Sequence, residues 1–182
     1  MQSTDLHTDL TATEVREWLD YDPATGILTW KETANGRVKV GMRAGTLHHT
    51  GYRIITLLRR IYMEHRIIWL WVYGEWPEDQ IDHCNRIKDD NRICNLRQAT
   101  RLQNAVNSRP RRNKFGLRGV RIDARCPHKP FFGTSVVEGK RIYTKNFATA
   151  EEAAAAILAD QQRRWGEFVD PAVWGRQHDS CV

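Results

Sequence analysis

The chain has 182 residues, room for one large or two small domains, and its 41% hydrophobic and 27% charged content is that of a globular protein, not a disordered one. A formal charge of +6 points to an anionic partner, of which nucleic acid is the commonest. The apolar run "IIWLWVYG" is far too short to span a membrane, and "MQSTDLHTDL" has neither the basic nor the apolar region of a secretion signal, so the expected location is the cytoplasm.

Taken in chain order, "TATEVREWLD" (11–20) predicts a short helix capped by Thr11 or Thr13, with Val15, Trp18 and Leu19 on one face. In "YDPATGILTW", Pro23 and Gly26 mark a turn between two short extended pieces. Tyr52–Leu58 reads as a strand, Arg59-Arg60 as a basic turn and Ile61–Met63 as a second strand. From about His65 the spacing of Ile67, Ile68, Trp71 and Val72 becomes helical, and Gly74 ends it. Pro77 opens an extended segment that delivers Ile81, Asp82 and His83. A long polar stretch follows, then a short strand at "LRQA". A helix begins at Thr100, whose pairing with Gln103 makes a capping box, and carries Leu102, Asn104 and Ala105.

"NSRPRRNKFG" is a basic linker by composition. The last third changes character. Strand-like stretches at Arg118–Asp123, Phe131–Val137 and Arg141–Lys145 precede a helix with a Thr149/Glu152 capping box and a stop at Gly166. Three strands and one amphipathic helix predict a small α+β module with its own core, and the tail after Pro171 is expected to be loosely ordered. The cysteines (Cys84, Cys94, Cys126 and Cys181) lack any C-x-x-C pair, which argues against a zinc ribbon and for free thiols in a reducing compartment.

The segment "IDHCNRIKDDNRICNLRQATRLQN" (81–104) holds the candidate chemistry. So polar a stretch packs poorly and reads as a loop-rich site. Cutting a phosphodiester needs an activated water and positive charge at the phosphate. A neutral His serves as base near pH 7, while a carboxylate and a carboxamide oxygen together suit Mg²⁺. Asp82 and Asn104 therefore form a candidate metal pair, with His83 as base. Taken singly, Asp82 reads equally as a turn acid, His83 as a surface imidazole, and Asn95 and Asn104 as caps. Successive side chains of a strand face opposite ways, so Asp82 and His83 can serve one site only from a strand end or bulge.

Asp82-His83, Asn95 and Asn104, with "HRIIWLWVYGEWP", "DNRICNLRQAT" and "QNAVN", resemble the HNH endonucleases in the His-Asn-Asn variant of phage homing endonucleases, over roughly residues 21–107. The resemblance implies a ββα-metal nuclease domain. In it His83 is the general base, Asp82 and Asn104 hold one divalent ion (Mg²⁺, or Mn²⁺ in its place), and Asn95 braces the loop without touching the metal. Arg66 would either hold the scissile phosphate or play a structural part on Trp69 or beside an acid such as Glu64.

Between Arg109 and Arg125 the cations Arg109, Arg111, Arg112, Lys114, Arg118, Arg121 and Arg125 meet one acid, Asp123, and read as a phosphate track. Residues 114–169, through "GLRGVR", "GKRIYTKNFATAEEAAAAI" and "WGEF", resemble the AP2 DNA-binding domain. That implies contacts to double-stranded DNA from Arg118, Arg121, Arg141 and Tyr143, although Ser135 and Val137 stand where basic positions are usual. The expected plan is a nuclease domain at 1–108, a linker at 109–113, an AP2-like domain at 114–170 and a tail. The chain is expected to act as a monomer with one cutting site. The rival expectations are an AP2-type transcriptional regulator with an idle nuclease site and an RNA-directed or structure-selective nuclease, since the charge track alone does not choose a polymer.

Overall fold

In the computed structural model the described residues are 10–33, 36, 38–107, 115–137 and 139–169. The linker cations Arg109, Arg111, Arg112 and Lys114, together with Cys181 and the tail, lie outside them. The chain divides into two units, one running to Arg101 and the other beginning at Leu102. Both mix helices with small antiparallel sheets.

In the first unit, α1 (Ala12–Trp18) starts at a complete capping box. Glu14 Oε2 accepts from the Thr11 amide at 2.8 Å, and Thr11 Oγ1 accepts from the Glu14 amide at 3.3 Å. Two amides that the helix leaves unpaired are thereby satisfied. Strands β1 (Leu19–Asp22) and β2 (Ile27–Trp30) form a hairpin with Leu19 opposite Trp30 and Asp22 opposite Ile27. Their alternation turns Leu19, Tyr21, Leu28 and Trp30 inward. A second sheet contains β3 (Thr46–Leu47), β4 (Arg53–Leu57) and β5 (Arg60–Met63).

The turn between β4 and β5 lies one residue earlier than expected, at Leu58-Arg59, where both residues take positive φ (48° and 67°). The cause is register. Leu57 pairs with Arg60, which leaves a two-residue connection, and the type I′ form of such a turn, which follows the strands' twist, has both central residues left-handed.

Helix α2 (Glu64–Tyr73) runs through the core and stops at Gly74. Ile67, Ile68 and Leu70 are fully enclosed among Val15, Leu19, Leu28 and Ile55. Each such side chain contributes roughly 1.5–3 kcal/mol by burial, so α2 is the element this unit cannot lose. Beyond it, β6 (Gln80–His83) pairs antiparallel with β7 (Leu96–Ala99), the chain between them closing through a 3₁₀ turn at Ile93–Asn95. Helix α3 (Arg101–Asn107) follows directly. The order strand, polar loop, strand, helix is the one expected from the sequence.

The second unit contains β8 (Val120–Ile122), β9 (Phe131–Val137) and β10 (Lys140–Phe147) in the order β10-β9-β8, with α4 (Ala150–Trp165) packed against one face. Ala153, Ala154 and Ile157 of α4 meet Val120 in a small core. The helix comes close because of Gly133, where a Cβ would stand 2.2 Å from Ile157 Cγ1. Thr149 and Glu152 form the expected capping box. On the opposite sheet face Tyr143 is 63% exposed and Val136 61%.

Candidate active site

Asp82 and His83 are the last two residues of β6, and the chain turns immediately at Cys84-Asn85. This is the strand end that the alternation argument required. Both side chains are nearly enclosed, at 5% and 4% exposure. Asp82 lies directly across the ladder from Arg97, whose Nε and Nη2 donate to Asp82 Oδ2 at 3.0 and 2.8 Å. Opposed residues of an antiparallel pair share a face, so the ion pair follows from register.

His83 Nε2 is 3.0 Å from Asn91 Oδ1. Burial lowers the His83 pKa, while the Asn91 bond and the carboxylates of Asp82, Asp90 and Asp89 act against it. The ring is therefore neutral near pH 7, the state a general base requires. His65 meets it edge to face with centroids 5.2 Å apart, and Tyr52 lies 5.8 Å from His83 and 5.5 Å from His65. His65 is pushed down to about 3, by burial first and then by the neighbouring His83 and Arg66. Burial and the Asp82 charge raise the Tyr52 phenol. Lys88 Nζ sits 4.7 Å from the Tyr52 ring centroid and donates to Thr50 O at 3.0 Å.

The loop after β6 is polar and yet packed. Asn95 is fully buried; its Nδ2 donates to Asp90 O at 2.8 Å and its Oδ1 accepts from the Asn85 amide at 2.9 Å. The Cys84 amide donates to Asn95 O at 2.9 Å. Arg92 reaches both Asp90 oxygens, at 2.8 and 2.7 Å, and this pairing is the main cause of the lowered Asp90 pKa. From the β1–β2 hairpin, the Tyr21 hydroxyl donates to Asn91 O at 3.0 Å and accepts from the Ile93 amide at 2.8 Å. Gly26, at φ 73°, presses against the same stretch, where a Cβ would stand 2.4 Å from the Arg92 nitrogen. A packed loop of this kind can hold an imidazole at a fixed position and angle.

The other residues singled out from the sequence fall as follows. The Arg66 guanidinium lies 5.8 Å from the Trp76 ring centroid, and its Nη1 is 3.4 Å from Asp79 O. Trp76, not Trp69, is thus its aromatic neighbour, and Glu64 pairs with Arg53 (3.0 Å) in its place. Asn104 is half-buried on α3. In the second unit, Arg118 donates to the carbonyls of Val106 and Ala105 at 2.7 and 3.2 Å, and burial lowers its pKa. Arg121 lies opposite Phe132, Arg141 opposite Val136 and Tyr143 opposite Thr134. With Val120 and Gly133 turned to α4, these pairs set Arg121, Arg141 and Tyr143 on the sheet face away from the helix. Cys84 is half-buried and Cys94 exposed, and they form no disulfide.

Among the described residues no group of three or more His, Cys, Asp and Glu side chains is arranged to hold a metal. A pair made of one carboxylate and one carboxamide is a different donor set. Its hard oxygens fit a hard divalent cation that keeps most of its shell in water and phosphate. Sequence reasoning passed over Asn91, Tyr21, Tyr52 and Arg97. Asn91 and Arg97 both stood within the stretch 81–104 already singled out.

Residues 62–106 match the model of a family described as HNH endonuclease. The match starts within β5, ends within α3, and contains α2, both strands of the site and the packed loop. An uncharacterized HNH endonuclease of Acanthamoeba polyphaga mimivirus is 29% identical to this chain over 126 residues. That alignment covers 69% of this chain and 64% of the viral protein, so the chain spans less than two thirds of that relative's length. No solved structure matches the chain.

Proposed function

We propose that the chain is a DNA endonuclease that hydrolyses phosphodiester bonds by a one-metal HNH mechanism, in the manner of phage homing endonucleases. One observation carries the reading: the segment matching the HNH family encloses a buried, neutral histidine at a strand end, held over a hydrogen-bonded loop. His83 takes the proton from the attacking water, and Asn95 keeps the loop in the shape that presents the ring. Asp82, and by the resemblance Asn104, would hold one Mg²⁺ or Mn²⁺ ion, which when bound supplies positive charge at the phosphate. Arg97 keeps the Asp82 carboxylate oriented until that ion arrives. Arg66 rests on Trp76 within reach of a role in phosphate binding only if it leaves Asp79.

Residues 114–170 serve as an AP2-like targeting domain on double-stranded DNA, with Arg121, Arg141 and Tyr143 on its open sheet face and the cations at 109–114 along the backbone. Arg118, which donates to the carbonyls of Val106 and Ala105, is the fourth DNA contact that the resemblance offers. The nuclease part extends through residue 108. A monomer with one site nicks one strand or cuts both in sequence.

Incubation of supercoiled plasmid with the chain and Mg²⁺ tests the proposal. Divalent-dependent nicking is expected, abolished in His83→Ala while duplex binding persists. Binding without cleavage under any divalent ion would favour an AP2-type regulator, and preferential cleavage of RNA at matched salt would reassign the substrate.

A further inference from the structure

One buried carboxamide touches the base and has no part in the chemistry described above. Asn91, 1% exposed, presents Oδ1 to His83 Nε2 at 3.0 Å. Its side chain also neighbours Glu64, fully enclosed, whose pKa burial raises, while Arg53 and then Asn91 act against burial to favour the charged form. A carboxylate can only accept, so the carboxamide must turn its NH₂ toward Glu64 and its oxygen toward the imidazole. Among the described residues neither Asn91 Nδ2 nor Glu64 Oε1 has another hydrogen-bond partner.

Glu64 cannot turn away. Arg53 Nε donates to its Oε2 at 3.0 Å, and Arg53 Nη2 donates to Gly45 O at 3.0 Å. Gly45 makes room for the carboxylate at this position, since a Cβ there would stand 2.5 Å from Glu64 Oε2. Asn91 is fixed at its backbone as well, where its carbonyl accepts from the Tyr21 hydroxyl. The line Arg53, Glu64, Asn91, His83 thus joins β4, α2, the packed loop and β6.

We propose that Asn91 is a positioning residue: by accepting the Nε2–H of His83 it fixes the neutral ring in the tautomer that carries its lone pair on Nδ1. This rests on the reading of His83 as the base. The water proton then passes to Nδ1 while the water oxygen bonds to phosphorus and the bond to the leaving oxygen breaks. The leaving oxygen takes its proton from solvent water, and Nε2–H stays on Asn91.

The test is the ring nitrogen pattern of His83 in the ¹⁵N-labelled full chain at pH 8, read by long-range proton–nitrogen correlation, alongside cleavage kinetics. The wild type is expected to show the Nε2–H form. Asn91→Leu should mix the tautomers and lower kcat by roughly 10–100-fold with KM within about twofold. Asn91→Asp keeps an acceptor and should restore the Nε2–H form. An Nδ1–H wild type, or an Asn91→Leu variant with unchanged tautomer and kcat, overturns the assignment. The resonance measurement needs no DNA, so the two readings fail separately. A chain that never cleaves but shows Nε2–H loses the nuclease reading and keeps the Asn91 contact. A chain whose cleavage depends on His83 but whose ring is Nδ1–H does the reverse.

Discussion

Replacing Tyr21 by Phe would remove a single oxygen and leave the ring's packing in place. That hydroxyl serves two backbone groups at once, accepting from the Ile93 amide at 2.8 Å and donating to Asn91 O at 3.0 Å. Burial pushes the phenol up to about 12, so it remains a donor throughout the working pH range. An unpaired buried backbone group costs about 1–3 kcal/mol, and the Asn91 carbonyl belongs to a residue with almost no exposed surface. The Ile93 amide is only partly enclosed and falls at the low end. The expected loss is therefore about 2–4 kcal/mol against a total stability of roughly 5–15 kcal/mol. Urea unfolding followed by tryptophan fluorescence should show a lower midpoint at unchanged slope, and hydrogen exchange at Ile93 should accelerate by more than the global loss explains. A change below about 0.5 kcal/mol, with Ile93 still protected, would refute the idea that Tyr21 pins the loop.

Three further outcomes are expected. His65 stays neutral in the folded chain down to about pH 3, whereas the unfolded chain protonates it near the ordinary imidazole value of 6.5. Between those values the unfolded state binds the extra proton, so stability falls on acidification by up to about 1.4 kcal/mol per pH unit, with His83 contributing in the same direction. His65→Gln should remove about one proton from the slope measured between pH 6.5 and 4.5, and an unchanged slope would contradict the burial argument. Arg97→Met removes the guanidinium from the buried Asp82 carboxylate and should cost about 3–5 kcal/mol without added metal. If Asp82 binds Mg²⁺, that ion should raise the melting temperature of Arg97→Met more than that of the wild type. Arg121→Ala and Arg141→Ala should each weaken duplex binding and lower the salt slope by about one, while Arg118→Ala should lower the thermal stability of its unit.

What the sequence made legible were features written in near-neighbour chemistry. The Thr11 cap of α1, the α4 capping box, the α2 stop at Gly74 and the strand end at His83 follow from residues within a few positions of one another. The Leu58-Arg59 turn was hidden because neither residue favours a left-handed backbone, and only the register of β4 with β5 imposes it. The Asp82–Arg97 pair needed the β6–β7 register, and the Tyr21 pin joins a hairpin to a loop 70 positions away. The polar run at 84–95 reads as a poor packing element when only apolar side chains count toward a core. Its Asn91 and Asn95 are nonetheless among the most enclosed side chains in the molecule, because their partners are carbonyls, amides and an imidazole.

Beside the Arg92–Asp90 pair and the Tyr21 hydroxyl, three of the braces that close this loop, Asn85, Asn91 and Asn95, are amide side chains. They titrate nowhere in the range where a protein survives, so the scaffold beneath the imidazole keeps one shape while the imidazole itself gains and loses charge. They also add no negative potential of their own, which leaves the carboxylates of Asp82, Asp89 and Asp90 as the acids a polyanion would meet beside the imidazole.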